Sequence, residues 1–278
     1  MIPAKFDYQR AGSADEAIAL LERHGDDAKL LAGGHSLLPL MKLRLASPAV
    51  LIDIGRLRDL SYVRDGGEHI AIGALTRHRE LETSELLRAE VPLLAHAASQ
   101  VGDPQVRHRG TIGGSIAHGD PASDLPAVVL ALGGSFVVRG PGGASGERTV
   151  PATEFFRGFL ETALAPNELL TEIRVPKVGG SGWSFQKFNR RAQDWAIVGV
   201  AAVRNGTTGI ALVNMGSTPI RASAVESALA SGASATEAAA HAADGLDPPS
   251  DLNASPEYRR HLATVLVRRA LEEAAART

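Results

Sequence analysis

Apolar positions along this chain recur at helical spacing in some stretches and alternate in others, and the order of the two changes near residue 177. Ile18, Leu20 and Leu21 form an apolar stripe behind the capping-box sequence Ser13-Ala14-Asp15-Glu16, and Gly25 supplies a stop, which predicts a first helix. A short strand is predicted at 29–31. A second helix follows through about Arg44, with Leu37, Leu40, Met41 and Leu43 on its apolar side. Ser36 stands where a cap belongs, and Pro39 falls in the first turn, where a missing N–H costs little. The run 50–54 reads as a buried strand, and 62–64 with 69–72 as a hairpin around Asp65-Gly66-Gly67. Helices are predicted at 92–99 and 124–132, the latter with Pro126 near its start and Gly133-Gly134 past its end. Strands at 136–139 and 147–150 flank the Gly/Pro-rich turn 140–146, and 169–175 closes this region.

Beyond the Pro/Gly/Ser boundary at 177–181 the pattern becomes three successive strands, 183–189, 196–204 and 209–214. Helices then follow at 222–230, 236–243 and 256–276, the last with Ser255 as N-cap and Leu262, Val265, Leu266 and Ala270 as its apolar face. Three antiparallel strands with helices on one face account for this order. The expected division is an α+β region over 1–176, itself split into about 1–55 and 56–176, and a smaller α+β domain over 177–278.

Composition narrows the class. With 44% hydrophobic and 22% charged residues the chain is ordinary globular protein, and a net charge of −2 gives no electrostatic case for nucleic acid or anionic membrane. No apolar run approaches the roughly 20 residues that cross a bilayer, and the opening residues lack a signal-peptide core, so a cytoplasmic protein is expected. The absence of cysteine excludes disulfides, thiolate zinc, the usual iron–sulfur ligation and a cysteine nucleophile. Nine histidines form no HExxH or HxxxH pair, and no metal site is expected.

Two glycine loops stand out, Ala32-Gly33-Gly34-His35-Ser36 and Thr111-Ile112-Gly113-Gly114-Ser115. Glycine pairs let backbone approach a ligand closely, and successive N–H groups in such turns form anion-binding concavities. Two loops built alike suggest one ligand with two phosphates, a dinucleotide. Neither the GxGxxG fingerprint nor the P-loop motif stands between a strand and a helix, so another fold must hold it. Arg107-His108-Arg109 flanks the second loop, either facing phosphates or forming a solvated basic turn. His35 is read as a backbone contributor. On spacing, Asp124 is read as the N-cap of its helix rather than a ribose contact. Lys187 alternates onto the face of Trp183 and Phe185, where it either pairs with an anion or carbonyl, or snorkels at the sheet margin. Trp195 opens an apolar strand as a core residue or a ring-stacking partner. No nucleophile elbow or acid–base pair emerges, which leaves the chemistry to a bound cofactor.

The segments Leu31-Ala32-Gly33-Gly34-His35-Ser36-Leu37-Leu38-Pro39-Leu40-Met41-Lys42-Leu43-Arg44, Thr111-Ile112-Gly113-Gly114-Ser115-Ile116-Ala117-His118 and Asp120-Pro121-Ala122-Ser123-Asp124-Leu125-Pro126 closely resemble the FAD-binding medium subunit of molybdenum hydroxylases of the aerobic carbon monoxide dehydrogenase type, in the xanthine dehydrogenase family. The resemblance runs from Pro3 through the closing helix. It implies a two-part p-cresol methylhydroxylase-like FAD domain followed by a small α+β domain. It implies that Ala32, Gly33, Gly34, His35 and Ser36, flanked by Leu31 and Leu37, cradle the FAD pyrophosphate together with Thr111, Ile112, Gly113, Gly114 and Ser115. It moves Asp124 toward a ribose or adenosine contact, places Val101, Leu169 and Lys187 along the flavin, and puts Trp195 where these subunits often have tyrosine. Implied partners are a small subunit with two [2Fe–2S] clusters and a large molybdenum subunit, assembled as a dimer of heterotrimers. In that scheme electrons pass from molybdenum through the clusters to FAD and an external acceptor, and this chain does not turn over substrate alone. The alternatives are a self-sufficient flavin oxidoreductase and a non-enzymatic nucleotide-binding module.

Overall fold

The computed structural model describes residues 2–277. Three sheets carry the chain, one parallel and two antiparallel, beside a two-stranded hairpin of Phe156–Gly158 and Glu161–Thr162. In the first sheet Val50–Asp53 lies between Asp7–Arg10 and Ala28–Leu31 and runs parallel to both. Helix Ala14–His24 covers it, burying Ile18, Leu20 and Leu21. Its start is half of the expected capping box. Ser13 Oγ accepts from the Glu16 N–H, but the Glu16 carboxylate turns to the N–H of Gly12.

The second sheet orders its strands Val63–Asp65, His69–Gly73, Leu169–Pro176, Ser135–Arg139, Glu147–Pro151, all antiparallel. Leu169–Pro176 comes last in this region yet lies at the centre. Both expected hairpins flank it, within a residue of their predicted ends. Helices His78–Thr83, Glu85–Glu90 and Pro104–Arg109 were not predicted, because six residues are too few to display a helical period. The helix after the first glycine loop also ends early, at Lys42, where Arg44 adopts a φ of 59° and reverses the chain.

The third sheet is antiparallel but has four strands rather than three: Gly182–Phe188, Val198–Asn205, Thr207–Val213 and the two-residue Ile220–Arg221. Nor is it covered on one side only. Val198, Val200, Ala202, Ile210 and Leu212 face the C-terminal helices, whereas Ala201, Val203, Ala211 and Val213 join the core of the second sheet. The cover on that side includes Asp124–Ala131, a helix buried at every position. A sheet enclosed on both faces explains why 196–203 reads as an unbroken apolar run.

Helix Pro256–Ala276 begins at Ser255, whose Oγ accepts from the Tyr258 N–H, and buries Leu262, Leu266 and Ala270, though not Val265. It also buries Arg259 completely. That guanidinium donates to the carbonyls of Ile197 and Asn214 and lies 2.8 Å from the Asp251 carboxylate. Asn214 in turn donates its backbone N–H to Pro121 O and its side chain to Ala196 O, both at 2.8 Å. Arg259 thus fixes the corner that follows Trp195. Arg259→Met, which keeps the bulk and strands two carbonyls, is expected to cost about 2–4 kcal/mol in urea unfolding. A loss under about 0.5 kcal/mol would show that the corner holds without it.

Candidate functional site

The two glycine loops meet. A Cβ placed on Gly33 would sit 2.5 Å from the Arg109 carbonyl oxygen and 2.9 Å from Gly110 Cα, so a side chain there would force the first loop off the second. Along their junction runs a cleft of about 250 Å³, lined by Ala32, Gly33, Gly34, His35, Ser36 and Leu37 on one side and Thr111, Gly114 and Ser115 on the other. A second cleft of about 170 Å³ shares His35, Ser36, His78 and Ser115 with the first and continues past Val101, Asp124 and Lys187 to Trp195. The two form one trench from the first sheet to the third.

Backbone accounting separates the loops. Among the described residues, the N–H groups of Gly33, Gly34, His35, Ser36 and Leu37 donate to no acceptor in the protein. In the second loop the N–H groups of Ile112, Gly113, Gly114 and Ser115 are spent, and that of Thr111 is not. Ile112 donates to Thr76 O (3.1 Å), Gly113 to Ala74 O (2.8 Å), Gly114 to Thr111 Oγ1 (3.1 Å) and Ser115 to Thr111 O (3.1 Å). Thr111 is the N-cap of helix Ile112–His118 and consumes that helix's own donors. The first loop therefore offers bare backbone donors, and the second offers the Thr111 and Ser115 hydroxyls.

The remaining anticipated residues divide likewise. Lys187 is interior, as its alternation with Trp183 and Phe185 requires, and its ammonium lies 2.7 Å from Asp124 Oδ2 and 2.9 Å from Gln100 O. The snorkelling alternative is excluded, since both side chains of the pair are only 6% exposed. The cap reading of Asp124 also fails. Ser123 holds the cap position, and the Asp124 carboxylate faces the lysine across the junction instead. Burial raises its pKa to about 6 against the pull of Lys187, and Oδ1 has no partner. Trp195 is no core residue. It is 54% exposed and stands between the trench and a neighbouring cavity of about 720 Å³. Ile112 is fully buried, Gly113 packs on Ala74, and Leu169 sits in the core of the first sheet, so none of these three lines the trench. Leu31 borders a separate cleft behind the first loop. The basic flank is split as well. Arg107 pairs inward with Glu82 at 3.0 Å, whereas Arg109 is exposed.

His78 was not anticipated. It borders both clefts, its Nε2 lies 3.3 Å from Ser115 Oγ, and its buried Nδ1 has no partner. Burial, then His35, Arg77 and Arg107, push its pKa down to about 4. His35 is lowered too, by burial and Arg109. The local field is positive and suits an anionic ligand. The only sequence signal for His78 is its place just past a strand end, where site residues gather.

Over residues 4–178 the chain matches the FAD binding domain in molybdopterin dehydrogenase, and over 183–274 the CO dehydrogenase flavoprotein C-terminal domain. It is 46% identical over 288 residues to the carbon monoxide dehydrogenase medium chain of Hydrogenophaga pseudoflava, covering 100% of this chain and 99% of that one. It is 40% identical over 286 residues to the 6-hydroxypseudooxynicotine dehydrogenase complex subunit alpha of Paenarthrobacter nicotinovorans, covering 99% of this chain and 96% of that one. Among solved structures, carbon monoxide dehydrogenase from Hydrogenophaga pseudoflava, in a form lacking the Mo-pyranopterin moiety, superposes with a TM-score of 0.95 at 47% identity, over 100% of this chain and 99% of that chain.

The His78 site carries a pH signature. With a pKa of about 4 folded and about 6.5 unfolded, the unfolded chain takes up the proton first as pH falls, so stability drops through that window. Asp124 acts in the opposite sense, since a raised carboxyl pKa adds stability as pH falls from about 6 toward 3.8. Comparing His78→Gln with the parent isolates the histidine. Between about pH 7 and pH 4.5 the variant is expected to lose roughly 2–3 kcal/mol less in urea unfolding. Parallel curves would return His78 to an ordinary titration.

Proposed function

The chain belongs to the family of FAD-binding medium subunits of molybdopterin-dependent dehydrogenases of the carbon monoxide dehydrogenase type, and from that premise we propose that it carries electrons within a heterotrimeric molybdenum hydroxylase. In this reading electrons arrive from [2Fe–2S] clusters in a small partner chain and leave through FAD to an external acceptor, while a large partner chain holds the molybdenum cofactor and selects the substrate. The FAD domain spans 1–176 and the C-terminal flavoprotein domain 177–278.

The row of unspent N–H groups from Gly33 to Leu37 along the trench carries the proposal. Unpaired backbone donors are costly unless a ligand or water satisfies them, and a pyrophosphate accepts from several at once. Ala32 to Leu37 hold the pyrophosphate from one side, and the Thr111 and Ser115 hydroxyls close the other. Val101, Lys187 and Trp195 border the flavin end, with Asp124 Oδ1 free to accept from a hydroxyl. Ile112, Gly113 and Leu169 support these walls from behind. Bound FAD supplies the capacity to accept and release electrons that no side chain of this chain has. Two relatives of similar identity are named for different substrates, carbon monoxide and 6-hydroxypseudooxynicotine, which supports substrate selection outside this chain. Full-length alignment with chains named as medium chains or complex subunits favours a complex over a self-sufficient enzyme.

The co-purified complex is expected to show a flavin spectrum near one FAD per chain. A complex that releases no flavin on denaturation and takes up no added FAD would overturn the reading. Gly33→Val is expected to abolish FAD retention through gel filtration while leaving circular dichroism unchanged, because the side chain parts the loops. Full flavin content in that variant would mean the trench is not the seat. Asp124→Asn leaves the Lys187 ammonium unbalanced and is expected to move the bound-FAD midpoint potential in the positive direction. A spectroelectrochemical titration that found the parent value would remove the pair from the flavin end.

A further inference from the structure

His78 stands where the two clefts of the trench meet, 3% exposed, at the start of helix His78–Thr83. Its backbone N–H donates to Gly110 O at 3.0 Å, and its ring lies against the same glycine. A Cβ placed on Gly110 would sit 2.7 Å from His78 Cδ2 and 2.8 Å from Nε2. The ring is therefore wedged against the second loop, with Nε2 3.3 Å from Ser115 Oγ and Nδ1 buried without a partner. An apolar side chain would fill this place without stranding a nitrogen, so the imidazole calls for a reason.

A neutral imidazole has one N–H and one bare nitrogen. Burial, then the neighbouring His35 ring and the charges of Arg77 and Arg107, keep His78 neutral, so a single proton must be placed. A buried N–H with no acceptor is costlier than a buried lone pair with no donor. The proton therefore belongs on Nε2, donated to Ser115 Oγ, and Nδ1 is the bare nitrogen. Among the described residues Ser115 Oγ has no other protein partner, which leaves its own proton for the trench. Thr111 shows the same polarity. Its Oγ1 accepts from the Gly114 N–H at 3.1 Å, a group that can only donate, so its proton also remains. A pyrophosphate at neutral pH presents acceptors, and a wall of hydroxyls holds it only when their protons face it. With the other tautomer Ser115 would give its proton to His78 and turn lone pairs toward the phosphate.

We propose that His78 is a positioning residue for the cofactor: as the Nε2–H tautomer it donates to Ser115 and so makes the Ser115 hydroxyl a donor toward the pyrophosphate. The proposal rests on the FAD seat described above and assigns the group that sets the polarity of its second wall. The first wall needs no such device, because the N–H groups from Gly33 to Leu37 have one direction only. Ser115 can face either way, and one imidazole proton decides which.

The test uses the full-length chain, freed of flavin and titrated with FAD by fluorescence quenching. His78→Leu and Ser115→Ala are each expected to raise the FAD Kd by about tenfold or more, the loss expected for one hydrogen bond to a charged group. The double variant should bind no more weakly than Ser115→Ala alone, because His78 acts through that hydroxyl. His78→Gln, whose amide nitrogen reaches the place of Nε2, should bind FAD within about threefold of the parent, since an amide N–H donates as the ring does. Nitrogen NMR of the flavin-free parent near neutral pH, with the His78 signals assigned by their loss in His78→Gln, is expected to show Nε2 protonated and Nδ1 bare. A proton on Nδ1, or losses that add in the double variant, would overturn the proposal even if His78→Leu folds poorly. Parent-like affinity in a folded His78→Leu would remove the role of His78 and leave the FAD seat standing. A parent that takes up no FAD, alone or in its complex, would overturn the seat and the proposal together.

Discussion

The ion pair between Lys187 and Asp124 is the contact on which the flavin end of the trench depends. One partner lies on the first strand of the C-terminal sheet, the other at the start of a helix buried at every position, and both side chains are largely buried at the junction. Such a pair adds little net stability, because desolvation offsets the attraction, but losing either member leaves an uncompensated charge inside. Its value is positional. It fixes the distance between two regions whose cores otherwise merge through small and branched residues such as Ala201, Val203, Ala211 and Val213. Arg259 does similar work at the far end of the same wall, where a buried guanidinium gathers carbonyls from Ile197 and Asn214.

Against that frame the glycine loops divide their labour. The second is a helix start whose threonine cap, with the carbonyls of Ala74 and Thr76 just past a strand, takes up four of its five donors, which makes it a rigid wall. The first is followed by a helix of only six residues, and Ser36 makes no side-chain cap hydrogen bond. Its donors are left for a ligand. The close approach at Gly33 binds the mobile requirement to the rigid one, because the loop with free N–H groups can move only by leaving the carbonyl of Arg109. Burial first, and then positive charge from Arg77, Arg107 and Arg109, keeps His35 and His78 neutral, and that charge leaves the trench receptive to phosphate.

Much of this was legible along the chain. Helix spans 92–99 and 256–276, the hairpins around 66 and 143, and the antiparallel strands after 182 follow from periodicity and turn residues, which act locally. The motif segments around both loops carried the family, because each couples a glycine pair to flanking residues at fixed spacing. The interior place of Lys187 followed from alternation alone. Its partner did not, because pairing Lys187 with Asp124 requires knowing that the third sheet turns one face toward a helix of the second region.

What the sequence determined by itself were the longer elements, the family and the lack of thiol chemistry, since the absence of cysteine is a property of composition. Tertiary structure alone decided which loop keeps its donors, because a backbone N–H is spent or free according to carbonyls such as Ala74 O and Thr76 O that lie far away in sequence. It also decided that Asp124 faces a lysine rather than capping its helix, that Trp195 is exposed, and that Leu169 lies in the core behind the trench wall. Burial and pairing are sums over neighbours from other segments, and no local spacing rule contains them.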